Sequence, residues 1–424
     1  MNYSILKKAS DMRTQTHLNQ RWLLRGLGVT TLAAFALISA CGGGSVGFNP
    51  AGGASSTPTA TPTPLPYAVL HSFAADGSEG DYPRAQLVAD SAGDFYGLTH
   101  HGGTSYYGTA FKITRTGTFS LLHTFTAGSD GANPYSALVP GGASNFYGTT
   151  YSGGVKGRGT VFKMTSTGIV TVLHNFGDVG DGIYPYAGLV PDGAGNFYGT
   201  TEFGGTNDKG TVFKMDSAEE VTTLHSFGAV GDGAGPTAPL VPDGSGNFYG
   251  TTQYGGTDNK GTVFKMTNLG IVTVLHSFGP SSGSDGTYPF AGLVLDSAGN
   301  LYGTTVYGGA NEFGTVFKIT KGGDFELLHT FASVSDGTTP LGALLHDGSG
   351  NFYGTTAYGG TSNEGTVFKI TNTGAFTLLH SFGGLNDGIS PYAGLVSDGA
   401  GNLYGTTMHG GVNERGTVFR IPVQ

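Results

Sequence analysis

The sequence predicts an all-β protein, a seven-bladed β-propeller built of four-stranded antiparallel blades, on three observations. An L-H-x-F element recurs at His71, His123, His174, His225, His276, His329 and His380, at intervals of 51 to 53 residues. Two further markers give the same seven: the GTVFK cations at Lys112, Lys163, Lys214, Lys265, Lys318, Lys369 and Arg420, and the tyrosines Tyr96, Tyr147, Tyr198, Tyr249, Tyr302, Tyr353 and Tyr404. A unit of this size that cannot bury both of its faces alone has to stack on its neighbours, so the period bears on the whole architecture. Each unit also holds four short β-rich runs and no helical period, and the two ends of the array complement each other.

Residues 187–190, 196–201, 210–215 and 221–227 illustrate one unit, rich in Val, Phe, Tyr, Thr and Leu and separated by Gly, Asp and Asn. Each run reads as a strand. The D-G-A-G-N and T-x-x-G links are tight hairpin turns, whereas the DGxxPY and YGGxxNxxG links are long enough to wander. Bulky neighbours such as Val212 and Phe213 demand cover on both sheet faces, which stacked blades supply. At the ends, 67–73 is an orphan last strand and 416–421 only a third strand. Pairing them completes one blade, closes the ring and removes the open edge. An open solenoid is the architectural rival, but its strands run parallel and its ends need no such complement.

Residues 1–40 read as a lipoprotein signal peptide, 41–66 as a lipidated cysteine with a linker, and 67–424 as the propeller domain. Arg21 and Arg25 precede an apolar run of about 15 residues, too short to span a bilayer. That run closes on Ile38, Ser39, Ala40 and Cys41, the chain's single cysteine. These four residues resemble the lipobox of bacterial lipoproteins, which implies lipidation of Cys41; the alternative is an ordinary secretory signal with an incidental thiol. Gly42 and Gly43 stand where an Asp would resemble inner-membrane retention, so the resemblance favours an outer-membrane anchor, facing periplasm or cell surface. The Gly, Ser, Thr, Ala and Pro that follow cannot bury a core and form a tether. Five of the 20 lysines and arginines precede Cys41 against one of the 29 acidic residues, leaving 15 basic and 28 acidic side chains thereafter. A phosphate backbone is repelled by that balance, so nucleic acid is excluded as a partner. With no second cysteine, stability comes from packing and ring closure. A monomer is expected.

The motifs NFYGTT, YGG and GTVFK, as they stand in these units, resemble the GloVer tandem repeat of bacterial surface proteins with varied anchors, over residues 67–424. The resemblance implies a repeat and an anchor, with no agreed activity or ligand. The glycine pair after the second run is also similar to kelch blades, although the Trp of that pattern is absent and the single Trp, Trp22, lies in the leader.

The seven histidines sit one per blade on the outermost strand, too far apart around a ring to share one metal, so a structural hydrogen bond within each blade is expected. The GTVFK cations should pair locally. Asp90, Asp192, Asp243, Asp296, Asp347 and Asp398 begin hairpin turns, where a carboxylate bonds backbone amides. Candidate ligand-binding residues lie on the face that gathers the long loops: Asp76, Asp130, Asp181, Asp232, Asp285, Asp336 and Asp387 with Tyr82, Tyr135, Tyr184, Tyr288 and Tyr392. Carboxylates and flat rings suit sugar hydroxyls and ring faces, while a solvated acidic rim needs no ligand. Departures from the repeat add His100, His101 and His409, which ring closure brings near one another. No catalytic residue, metal or cofactor is assigned. The expected function is a lipid-anchored, non-catalytic module binding envelope or extracellular polysaccharide. The alternatives are a glycan hydrolase or lyase and a scaffold for envelope proteins.

Overall fold

The computed structural model describes residues 66–142, 144–279, 284–332 and 335–423. The described residues belong to one compact unit, which ends at Gln424. The leader, Cys41 and all of the linker but Pro66 lie outside the described residues.

Seven four-stranded antiparallel sheets form the blades, and no described residue is helical. In the third blade the strands run Val190–Pro191, Phe197–Thr201, Thr211–Met215 and Val221–Ser226, innermost to outermost. The innermost strand is shorter than the sequence suggests and starts later than 187. Its upstream backbone serves a different partner: the Ala187 carbonyl accepts a hydrogen bond of 3.0 Å from the Thr149 hydroxyl of the second blade. The same inter-blade tie joins Thr200 to Ala238, Thr251 to Ala291 and Thr355 to Ala393.

Register explains the periodic letters. Tyr198 stands opposite Lys214 on the third strand, and in the first blade the equivalent Lys112 ammonium lies 5.4 Å from the centre of the Tyr96 ring and 2.7 Å from Asp94. The third and outer strands slip by one residue, as between Val212↔His225 and Phe213↔Thr223. Such a bulge re-aims a side chain, here the histidine. Asp192 accepts from the amides of Ala194 and Asn196 at 2.8 and 3.1 Å, the expected turn. At the neck of each blade two threonine hydroxyls, such as Thr201 and Thr211, bond at 2.9 Å in complete burial.

The core lies between blades. Tyr198, Val212 and Phe227 of the third blade pack on Leu240, Phe248, Phe264 and Met266 of the fourth, with the Tyr198 and Phe248 rings 4.0 Å apart. Each such ring contributes about 1.5–3 kcal/mol by burial. Within the blade, Gly199 makes room for Phe213, because a Cβ there would sit 2.4 Å from that ring. The ring closes as the end fragments imply. Ala68–Ser72 pairs with Thr417–Pro422, from Ala68↔Arg420 to Ser72↔Thr417. Phe73, Leu87 and Phe95 then pack with Tyr404 and Val418 across the first and seventh blades. Just outside the strand, Tyr67 stacks on His380 at 4.0 Å and donates to Asp387.

Candidate functional site

The two long loops of each blade are zipped together, so they wander less than their length suggests. Gly182–Ile183 pairs with Phe203–Gly204, Gly233–Ala234 with Tyr254–Gly255, and Gly388–Ile389 with His409–Gly410. This ladder puts both loops on one face and sorts the variable residues into rings.

The outer ring belongs to the rim carboxylates. Nε2 of His123, His174, His225, His276, His329 and His380 lies 2.9–3.3 Å from Asp130, Asp181, Asp232, Asp285, Asp336 and Asp387 respectively. In the first blade Glu79 takes this place on His71 at 3.0 Å, while Asp76 is exposed and bonds Ser78. Glu79, three residues further on, is therefore the counterpart of the other six. These carboxylates also accept loop amides, as Asp181 does from Gly177 and Gly182. Burial opposes ionisation of Asp387, but its bonds from His380 and Tyr67 hold it below the usual carboxylate range. The arrangement latches the loop to the outer strand.

The middle ring is the residue before the loop proline. Tyr82, Asn133, Tyr184, Gly235, Tyr288, Thr339 and Ser390 all have φ between 54° and 63°, a left-handed backbone costing about 1–3 kcal/mol for residues other than glycine. In the first blade the Tyr82 amide donates to the Asp81 carboxylate at 3.0 Å, and in the third two backbone bonds enforce the turn. The Tyr184 amide donates to the Arg158 carbonyl of the preceding blade at 2.9 Å, and its carbonyl accepts from the Glu202 amide at 3.1 Å. Side chains follow: Arg158 donates to the Tyr184 hydroxyl at 2.7 Å and Lys260 to that of Tyr288 at 3.0 Å.

The inner ring is the residue after the proline: Arg84, Tyr135, Tyr186, Thr237, Phe290, Leu341 and Tyr392. Tyr186 of the third blade meets Phe290 of the fifth with centroids 5.2 Å apart, skipping the fourth. Contact between blades that are not neighbours places these rings at the axis. Tyr135 stacks on Tyr186 at 4.3 Å, and the Arg84 guanidinium lies 5.4 and 5.3 Å from the Tyr135 and Tyr392 ring centres. Arg84 donates to the Tyr135 hydroxyl and to the Met408 thioether, both at 3.1 Å. Of the candidate tyrosines, Tyr135 and Tyr392 thus belong to the axis, and Tyr82, Tyr184 and Tyr288 to the middle ring.

Around this floor stand His100, Tyr151, Glu202, Gln253, Val306, Ala357 and Met408. His100 lies 4.1 Å from His101 and 4.0 Å from Tyr135 by ring centroid. Tyr82 contacts His409 at 4.8 Å and His101 at 5.6 Å, bridging the two. The three histidines therefore share one neighbourhood, and no cluster suited to a metal occurs among the described residues. Burial and then the Arg84 charge lower all three imidazoles, His409 down to about 4. Glu202 is pushed up to about 7 by burial, against the hydroxyl that Tyr151 donates at 3.3 Å. Burial also raises the phenols of Tyr186 and Tyr392. Arg84, Tyr186 and Glu202 escaped the sequence reading. Their signal is that they occupy columns in which the seven copies disagree.

The profile described as the Gloeobacter/Verrucomicrobia repeat matches residues 42–244 and 217–419. No curated protein matches the chain. Among solved structures, the BP39L lectin from Burkholderia pseudomallei is similar at 10% identity and TM-score 0.55, over 80% of this chain and 96% of that one. A Mycobacterium tuberculosis puromycin-hydrolyzing peptidase is similar at 14% and 0.51, over 85% of this chain and 55% of that one. A putative 6-phosphogluconolactonase from Bacteroides fragilis gives 17% and 0.47, over 75% and 86%. At these identities the likeness is one of fold.

Proposed function

The chain belongs to the Gloeobacter/Verrucomicrobia repeat family, and from that premise we propose that it is a non-catalytic binding module for envelope or extracellular polysaccharide, carried on the bacterial outer membrane by lipid on Cys41. The axial floor carries this reading. Tyr135, Tyr186, Phe290 and Tyr392 gather aromatic rings at the centre of one face, bordered by Arg84, Tyr151, Glu202 and Gln253. Ring faces pack on the C–H faces of sugars, and the polar border meets their hydroxyls. The rim aspartates enter this reading as loop latches, since each of the six from Asp130 to Asp387 already faces a histidine.

Purified full-length chain is incubated with a panel of soluble and insoluble polysaccharides, and retention and new reducing or unsaturated ends are measured in the same tubes. Retention without new ends is the expected result. New ends would replace the reading with a glycan hydrolase or lyase, and silence in both would favour an envelope protein as partner. For the anchor, Cys41→Ala should abolish labelling by a radioactive fatty acid; persistent labelling would overturn that assignment.

A further inference from the structure

Resting on the polysaccharide reading, we infer that the polar sector of the axial floor takes the carboxylate of an acidic sugar, a hexuronate unit of a polysaccharide, with Arg84 as its counter-ion. The repeat itself argues that this arginine is not there to hold the fold. Seven blades place an equivalent residue at the axis, and the other six use Tyr135, Tyr186, Thr237, Phe290, Leu341 and Tyr392. Six blades close without a cation at this position. The bonds to the Tyr135 hydroxyl and the Met408 sulfur, with the ring contacts of Tyr135 and Tyr392, orient the guanidinium over an aromatic surface. A planar fork fixed in this way is suited to a carboxylate, while the adjoining rings suit the sugar that carries it.

A second observation lies beside it. His100 is 7% exposed and its Nδ1 is buried with no hydrogen-bond partner in the structure. Orphaned buried nitrogens are uncommon and call for a partner, such as a bound oxygen. His101 and His409 flank the same spot, so the cation and three imidazoles occupy one side of the floor. In the fifth and sixth blades the corresponding positions are Phe290, Leu341, Val306 and Ala357, whereas the fourth blade, opposite the junction of the first and seventh, carries Thr237 and Gln253. The face is thus uneven, with a cationic sector at Arg84 for the carboxylate and an apolar sector at the fifth and sixth blades for ring packing.

The acidic balance of the chain opposes polyanions at long range, yet it does not decide the outcome in the pit. Exposed charges are screened over about 8 Å at physiological salt, and the rim carboxylates belong to the outer ring of the face, where they bond the loop and the outer strand. A direct Arg84 contact acts inside that distance.

The test uses full-length chain with polygalacturonate and alginate, each alongside its carboxyl-reduced neutral form. At least one acid form should bind tenfold or more tightly than its reduced counterpart, and 0.5 M NaCl should narrow the gap. Arg84→Gln should bring the ratio of acid to reduced affinity close to one, while Arg84→Lys restores part of it. Equal affinity for acid and reduced forms would overturn the carboxylate site and leave polysaccharide binding standing. No binding to any of the four polymers would overturn it too, and the wider panel then decides whether polysaccharide binding falls with it. Because the acid-to-reduced comparison is made on the unaltered chain, a poorly folding variant does not protect the inference.

Discussion

The rim and the axis of the disc put one repeat to opposite uses. At the rim the same contact recurs around the ring, a histidine of the outer strand against an acid of the loop, and even the variant blade keeps it by substituting Glu79. At the axis, the position after the proline is held by Arg, Tyr, Thr, Phe and Leu side chains among the seven blades, and the wall position differs in all seven. A contact needed by every blade leaves little latitude for a ligand. A position whose occupant matters little to blade stacking is open to one, and the left-handed residue beside it aims the inner ring without depending on what that ring contains.

The comparison can be broken most severely at closure. Deleting 67–73 removes the outer strand of the seventh blade with Leu70 and Phe73, so the melting temperature should fall by about 10 °C or more, since each buried ring contributes about 1.5–3 kcal/mol. An unchanged melting curve would sink the closing role of this strand. At the axis, Glu202→Gln gives a pH-dependent gain. The folded-state pKa of Glu202 is about 7 against an ordinary value of 4.5, so its contribution is intact below 4.5 and is lost as pH rises through 7. The variant should therefore match the parent at pH 4 and exceed it by up to about 3 kcal/mol at pH 8 in urea titrations. A uniform offset across pH would contradict a buried, neutral-favouring carboxyl. Within a blade, Gly199→Ala should cost about 1–3 kcal/mol by overpacking against Phe213, with little effect on polysaccharide binding.

The smallest stability effect belongs to a paired experiment that tests the division itself. Asp181→Asn should cost about 1 kcal/mol through the weakened latch to His174 and leave binding within twofold. Tyr186→Ala should weaken binding tenfold or more. Reversal of those two binding results would place the ligand at the rim.

Much of this was legible in the sequence because strand pairing repeats. Seven His, seven cation and seven Tyr markers gave the blades, and the half-units 67–73 and 416–421 gave the closure, which in turn brought His100, His101 and His409 to one sector. The rings were not legible. Tyr82 and Tyr135 look like one motif, yet they lie on opposite sides of a proline, and that two-residue offset sends one to the middle ring and the other to the axis. Asp76 resembles the other DG aspartates, but the loop geometry of the first blade selects Glu79 instead. Linear spacing does not reveal a left-handed turn, held by a neighbouring blade's carbonyl at Tyr184 and by the Asp81 carboxylate at Tyr82, and Tyr186 and Arg84 depend on it.

Tyr67 gives the ring a mechanical property. It is the first residue of the closing segment, stacked on His380 and bonded to Asp387 of the preceding blade's latch. Tension applied to the chain ahead of Pro66 arrives at this side chain before it reaches the Ala68↔Arg420 pair. The load is then shared by two blades, and peeling of the closing strand has to begin by pulling a tyrosine out of its neighbour. Tyr67 acts as a strain relief, of the kind that keeps a tug on a cable from reaching the joint it feeds.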